Sequence, residues 1–155
     1  MQLKNNYKIL PFILVFFSLS SFFLGFYLDE NSAGGGSYLG DWALMWPNLQ
    51  LVLNNDILTA INHENYYSNR TPLLYILHKI FNPFAASEVG YRRSVFFISL
   101  AAPVLFYFCL RQKFKKEDNL LLLLVASTIF LSPYFRTSSY WGLEENYGVI
   151  CLFLS

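Results

Sequence analysis

Two adjacent carboxylates, Asp29 and Glu30, directly follow a long apolar stretch of the chain, residues 9–28. A helix rises about 1.5 Å per residue, so this stretch would span about 30 Å, the thickness of a bilayer's hydrocarbon core. The two acids therefore lie where a membrane helix would meet water. A carboxylate there could serve as a general base toward a hydroxyl group, or it could simply mark where the helix leaves the lipid.

A second acidic pair, Glu144 and Glu145, lies in a polar stretch near the end of the sequence. The arginines that we expect on the same side of the membrane as both pairs are Arg70, Arg92, Arg93 and Arg136. A guanidinium can hold the charge that develops on a leaving phosphate while a carboxylate takes a proton from a hydroxyl. The combination suits group transfer from a phosphate. Ordinary interfacial charge with a few salt bridges is the alternative interpretation.

The composition is that of a membrane protein. Hydrophobic residues make up 55% of the chain and charged residues only 14%, whereas soluble domains carry about 25% charged residues. The net charge of +1 gives no basic excess that would indicate a nucleic-acid partner. Cys109 and Cys151 both fall within apolar runs and predict no disulfide framework.

The apolar runs predict an all-α, polytopic integral membrane protein with about three complete spans and the start of a fourth. The predicted spans are residues 9–28, 94–110, 120–135 and the incomplete run 147–155. Because the last run is too short to cross a bilayer, we expect the chain to be the amino-terminal part of one larger transmembrane domain. Between the first two spans the pattern favours short helices, either at the membrane interface or packed on the spans.

The basic residues predict the orientation. The short linker 111–119 is rich in Lys and Arg, and Lys4 and Lys8 precede the first span. By the positive-inside rule, the linker and the amino terminus lie in the cytoplasm. The two polar loops, 29–93 and 136–146, then lie outside, together with both acidic pairs.

This ordered set of motifs resembles the GT-C membrane glycosyltransferases, particularly their protein-mannosyltransferase-like and aminoarabinose-transferase-like branches. The motifs that carry the resemblance are Asp29-Glu30 after the first span, Thr71-Pro72-Leu73, Arg92 or Arg93 at the second span, and Ser132-Pro133 ahead of Arg136 and Glu144-Glu145. In order and spacing they cover nearly the whole chain. Each motif alone is weak, and the ordered set is what gives the match its specificity.

The resemblance implies an enzyme that transfers a sugar from a polyprenyl-phosphate donor to a hydroxyl acceptor, at the non-cytoplasmic face of a bacterial plasma membrane. Asp29 would be the catalytic base and Glu30 its partner. Arg136 would contact the donor phosphate. The residues that would position donor or acceptor are Arg70, Arg136, Glu144 and Glu145. Lipid-linked sugar and membrane lipid are the expected partners.

Two alternatives remain open at the level of sequence. His63 and His78 have no Cys or carboxylate set at ligand spacing, so no metal site is indicated, although a divalent cation bridging two of the acids stays open. The chain could instead be a piece of a non-enzymatic membrane subunit or of a transporter. Transporters often contain internal repeats and ionisable residues within their spans, whereas the charges here cluster at the span ends.

Overall fold

The computed structural model describes residues 3–31, 37–67 and 71–155, and this part of the chain is helical without any β-strand. The predicted all-α class is therefore confirmed. The α-helices are α1 (Leu3–Tyr27), α2 (Ala43–Asn54), α3 (Ile57–Ile61), α4 (Leu73–Phe81), α5 (Glu88–Ser99), α6 (Ala101–Lys113), α7 (Asn119–Ser127), α8 (Pro133–Trp141) and α9 (Glu145–Leu154). A π-helical turn, Ser37–Trp42, leads into α2, and a 3₁₀ turn, Thr128–Leu131, extends α7.

Within the described residues, two segments are long and apolar enough to cross a membrane, Ile9–Tyr27 within α1 and Glu88–Lys113, which joins α5 to α6. The bent pair Asn119–Leu131 and Pro133–Trp141 makes a third if it forms one span. The second begins six residues before the predicted span 94–110. Its start is set by Ser87, whose hydroxyl accepts a hydrogen bond from the Gly90 N–H at 3.1 Å and so caps the helix. Arg92 and Arg93 consequently lie within this helix.

The third predicted span, residues 120–135, is interrupted. Its helix ends at Leu131, and α8 starts at Pro133 with a change of direction of 66°. Ser132 separates the two, and its hydroxyl accepts from the Phe135 N–H at 3.4 Å. A serine cap followed by proline in the first helical position favours the start of a new helix, because proline lacks the N–H that would continue the old one.

The polar stretch 136–146, which the sequence predicted as a loop, is largely helical and buried. Helix α8 runs to Trp141, and Gly142 ends it with a φ of 68° and an N–H that donates to the Ser138 carbonyl. Every residue of α8 from Phe135 to Trp141 is buried. The prediction was wrong because a segment rich in serine and arginine is expected to be exposed to water, whereas tertiary contacts bury this one.

Helix α8 contacts α1, α5 and α9. The centre of the packing is Phe22 of α1, which is fully buried. Its ring lies 4.8–5.7 Å, between centroids, from those of Phe96, Phe130, Phe135 and Tyr140. Aromatic rings at such separations contribute beyond the area they bury. This cluster fixes α8 against the carboxyl-terminal half of α1.

Helices α2 and α4 form a second layer, since they pack on each other. Lys79 of α4 fastens them, because its ammonium donates to the carbonyls of Val52 (2.7 Å), Leu53 (3.2 Å) and Asn55 (2.5 Å) at the end of α2. These carbonyls have no partner within their own helix, and the helix dipole adds a favourable term for a cation at that end.

Candidate functional site at the end of the first helix

The acidic pair predicted from sequence forms the turn that ends α1. The Glu30 N–H donates to the Gly25 carbonyl (2.9 Å) and the Asp29 N–H to the Phe26 carbonyl (3.3 Å), which is the Schellman pattern of helix termination. Asp29 has a φ of 52°, within the left-handed region. Glycine is usual at this position, and a residue with a Cβ costs about 1–2 kcal/mol there. Asp29 thus adopts a backbone conformation that glycine adopts more readily.

Glu30 and Arg136 form a bidentate ion pair between α1 and α8. Nε of Arg136 donates to Oε1 of Glu30 at 2.7 Å, and Nη2 donates to Oε2. The Glu30 side chain is 27% exposed and that of Arg136 only 10%. Parallel N–H donors on a carboxylate add geometric specificity to the charge attraction, so the pair fixes the orientation of the Glu30 carboxylate.

The remaining donors of Arg136 are also engaged. Nη1 donates to Oγ of Ser21 (3.2 Å) and to the Phe130 carbonyl (3.1 Å), and Nη2 donates to the Ser21 carbonyl (3.1 Å). A guanidinium has five N–H donors, and these contacts together with Glu30 use them all. A donor phosphate would therefore have to replace one of these contacts. In this arrangement Arg136 anchors the turn.

Asp29 is paired with a different arginine, Arg92 of α5, whose Nη2 donates to Oδ1 at 2.6 Å. Arg92 is itself fixed by α8, because its Nε donates to the Tyr140 carbonyl (2.8 Å) and its guanidinium lies 4.0 Å above the ring of Trp141. Its side chain is 12% exposed, whereas that of Asp29 is 65% exposed. An arginine that is fixed by α8 thus positions an accessible carboxylate.

Two aromatic residues at the end of α8 complete the support. Nε1 of Trp141 donates to the Glu30 carbonyl (3.0 Å), and the Tyr140 hydroxyl donates to the Phe22 carbonyl (2.7 Å). The sequence predicts Arg92 on the same side as the acids and includes it in the motif resemblance, but it indicates no contact with Asp29 and no role for Tyr140 or Trp141. The available signal was their position in the same polar stretch as Arg136.

Beside this turn lies an open surface depression of about 210 Å³. It is lined by Phe26, Tyr27, Asp29, Val89, Arg92 and Arg93. Arg93 is exposed, so the depression offers one accessible carboxylate and one accessible guanidinium beside an apolar surface. This arrangement can accept a proton and hold an anion at the end of an apolar helix.

The other predicted site residues lie elsewhere or outside the described residues. Glu144 directly precedes α9 and Glu145 is its first residue, where negative charge interacts favourably with the helix dipole. The Ser138 hydroxyl donates to Oε2 of Glu145 at 3.0 Å, so this acid braces the α8–α9 turn. Arg70 lies outside the described residues. Within the described part of the chain, no three His, Cys, Asp or Glu side chains are grouped as a metal site would require.

The close approach of α1 to the ion pair predicts a strict requirement for glycine at position 25. A Cβ on Gly25 would meet Oε2 of Glu30, the Tyr140 hydroxyl (2.6 Å) and Nη2 of Arg136 (2.7 Å). We expect Gly25→Ala to lower the thermal unfolding midpoint in detergent, because overpacking costs about 1–3 kcal/mol and the intruding methyl group separates the bidentate pair.

Gly148→Ala is the matched control, since Gly148 is also helical but a Cβ there meets nothing within 4 Å. That change should leave the midpoint unchanged or raise it, because alanine is favoured over glycine in a helix by about 1 kcal/mol. Equal midpoints for the two variants would contradict the packing described for the turn.

Comparison with known proteins assigns no function to this site. No family model, no curated protein and no solved structure matches the chain. Any function assigned to the site therefore rests on the residues and contacts described above, together with the motif resemblance in the sequence.

Proposed function

We propose that this chain is part of a GT-C type membrane glycosyltransferase, which transfers a sugar from a polyprenyl-phosphate donor to a hydroxyl acceptor at the non-cytoplasmic membrane face. The observation that carries the proposal is the exposed carboxylate of Asp29, held in a left-handed turn at the end of an apolar helix. Arg92 and Arg93 share its depression. An acid kept in an unfavourable backbone conformation suggests a role other than ending the helix.

The proposed chemistry assigns the proton transfer to Asp29. Its carboxylate accepts the proton of the acceptor hydroxyl, and the oxygen attacks the anomeric carbon of the sugar. The bond between that carbon and the phosphate oxygen breaks, and the polyprenyl phosphate leaves with the bonding electrons. A guanidinium beside the leaving oxygen stabilises the charge that develops there.

The contacts support a division of roles among the arginines. Arg93 is exposed and lines the depression, so it is the better candidate for the donor phosphate. Arg92 positions Asp29, because it is held by Tyr140 and Trp141. Arg136 fixes Glu30 with donors that are already engaged. In this proposal the phosphate contact first expected of Arg136 passes to Arg93.

The surface of α4 supports a position at the membrane interface. Its exposed apolar side chains are Leu73, Leu77, Ile80 and Phe81, and Phe84 in the turn after the helix is also exposed. Its two polar side chains, His78 and Lys79, turn inward, where His78 is buried and Lys79 binds the carbonyls of α2. A short helix with an apolar outer surface is suited to lie in the interface rather than in water. An interfacial position would suit a reaction between a lipid-linked donor and a water-borne acceptor.

Substitution of the proposed base tests the chemistry. In the intact protein in its membrane, Asp29→Asn should reduce sugar transfer from a polyprenyl-phosphate donor by roughly 10²–10⁴-fold, the usual loss when a general base is removed. Asp29→Gly should lose transfer to the same extent while unfolding at a higher temperature, because glycine relieves the left-handed backbone. Transfer is measured with radiolabelled donor in isolated membranes.

Asp56→Asn is the matched control. Asp56 caps α3 by accepting from the Thr59 N–H at 3.0 Å, and asparagine caps helices equally well, so this variant should keep full transfer. If Asp29→Asn and Glu30→Gln both retained transfer, the turn would not be catalytic, and a non-enzymatic membrane subunit or transporter would become the better interpretation.

The proposed orientation predicts which residues face the outside. In a variant with Cys109 and Cys151 replaced by alanine, Glu64→Cys should react with a membrane-impermeant thiol reagent in intact cells. Lys115→Cys should react only after permeabilisation, since the basic linker lies inside. Both positions are exposed, so differences in burial do not explain the result. The reverse labelling pattern would contradict the topology and, with it, the placement of the site.

A further inference from the structure

A buried histidine joins α4 to α9 and, through asparagine, to α5. His78 is only 4% exposed. Its Nδ1 lies 2.9 Å from Nδ2 of Asn82, and its Nε2 lies 3.0 Å from the hydroxyl of Tyr147 on α9. Nδ2 of Asn82 also donates to the Ser94 hydroxyl of α5 at 2.7 Å. One imidazole thus closes a chain of hydrogen bonds across three helices.

The neighbours of this network determine where the imidazole proton lies. The Phe84 N–H donates to Oδ1 of Asn82 at 3.0 Å, and the Ser94 hydroxyl donates to the Tyr91 carbonyl at 2.7 Å. The amide nitrogen of Asn82 must therefore donate to both Ser94 and Nδ1 of His78. Nδ1 is the acceptor, and the neutral ring carries its proton on Nε2 and donates it to Tyr147.

The direct partners of His78 are neutral groups, namely the Asn82 amide, the Tyr147 hydroxyl and two aromatic rings. The rings of Tyr91 and Tyr147 lie 4.7 and 5.6 Å from the imidazole, between centroids, and α2 contains no titratable side chain. Within α4, Lys79 adds positive charge and Tyr75 is buried. The other charged residues in or next to α5 and α9 are Glu88, Arg92, Arg93, Glu144 and Glu145. Burial lowers the pKa of His78 from 6.5 to about 4.

We propose that His78 is an acid-sensitive latch, which fastens α4 to α5 and α9 while neutral and releases α4 when protonated. A protonated ring would present an N–H from Nδ1 to the donating amide of Asn82. Rotating that amide would bring two donors together at Phe84 and would break the bond to Ser94. The contacts of the network therefore fail together rather than one at a time.

The direction of the pH dependence follows from the change in proton affinity. A released histidine has its ordinary pKa near 6.5 and the latched one a pKa of about 4, so the released form binds more protons between these values. The latch is fully stable above about pH 6.5. Below it, the ratio of released to latched protein rises by up to tenfold for each pH unit until about pH 4.

Release would also reach the proposed active site. Tyr91 and Ser94 flank Arg92 on α5, and Arg92 holds Asp29. Loss of the latch would loosen the part of α5 that positions the carboxylate. This consequence rests on the proposed function, whereas the latch itself rests only on the His78 network.

Hydrogen exchange of α4 in lipid nanodiscs tests the latch without any assay of transfer. Amide protection factors of residues 73–81, corrected for intrinsic exchange, should fall by roughly 30-fold between pH 7.5 and pH 5.0, since pH 5.0 lies about 1.5 units below the ordinary histidine pKa. His63→Gln is the matched control, because His63 is the one other histidine of the chain, and it should show the same fall. His78→Gln should show none.

If His78→Gln does not fold, a second measurement on the unmodified protein still tests the latch. Nitrogen NMR of labelled imidazoles should show His78 as the Nε2–H tautomer at pH 7.5 and still neutral at pH 6. An ordinary titration of His78 near pH 6.5, or unchanged protection of α4 at pH 5.0, would overturn the latch. Lost sugar transfer at pH 5.0 with α4 still protected would also overturn it, while lost protection with transfer intact would refute only the link to the active site.

Discussion

Glu30 and Arg136 lie 106 residues apart in sequence and meet in a largely dehydrated ion pair. Removing two charges from water costs several kcal/mol per ion, and only good geometry with further hydrogen bonds offsets it. The bidentate contact and the additional bonds of Arg136 to Ser21 and Phe130 supply both. The end of α1 cannot move independently of α8 without separating this pair, so the pair holds the turn that carries Asp29 against α8.

The break before α8 makes this arrangement available. Had the helix of α7 continued straight, the serine- and arginine-rich segment would have followed the apolar run outward. The 66° change of direction instead inserts α8 against α1, α5 and α9. One helical turn separates Arg136 from Tyr140, so one face of α8 binds the Glu30 side chain and the Phe22 carbonyl. The next residue, Trp141, binds the Glu30 carbonyl. A rigid frame thus supports a single exposed carboxylate.

The sequence predicted the helical class and the apolar helix that ends at Asp29-Glu30, because these depend on local composition and periodicity. The break at Pro133 was not predicted, because residues 120–135 were assigned to one continuous span. The sequence also did not predict the burial of α8 or the pairing of Asp29 with Arg92. Both depend on which helices pack together in space. The residues that are adjacent in sequence do not determine this. The Schellman turn at Asp29 could not be predicted for another reason. An aspartate occupies the position at which a glycine would indicate the end of a helix.

The central claim is that the Glu30–Arg136 pair, rather than the more exposed Asp29–Arg92 pair, holds the turn in place. A double-mutant cycle with Glu30→Ala and Arg136→Ala, scored by the free energy of unfolding in detergent, measures it most directly. We predict a coupling of about 2–3 kcal/mol, with each single change costing about 3–5 kcal/mol because a buried charge loses its partner. The same cycle at Asp29 and Arg92 should give less than about 1 kcal/mol. A Glu30–Arg136 coupling below about 0.5 kcal/mol would contradict the claim.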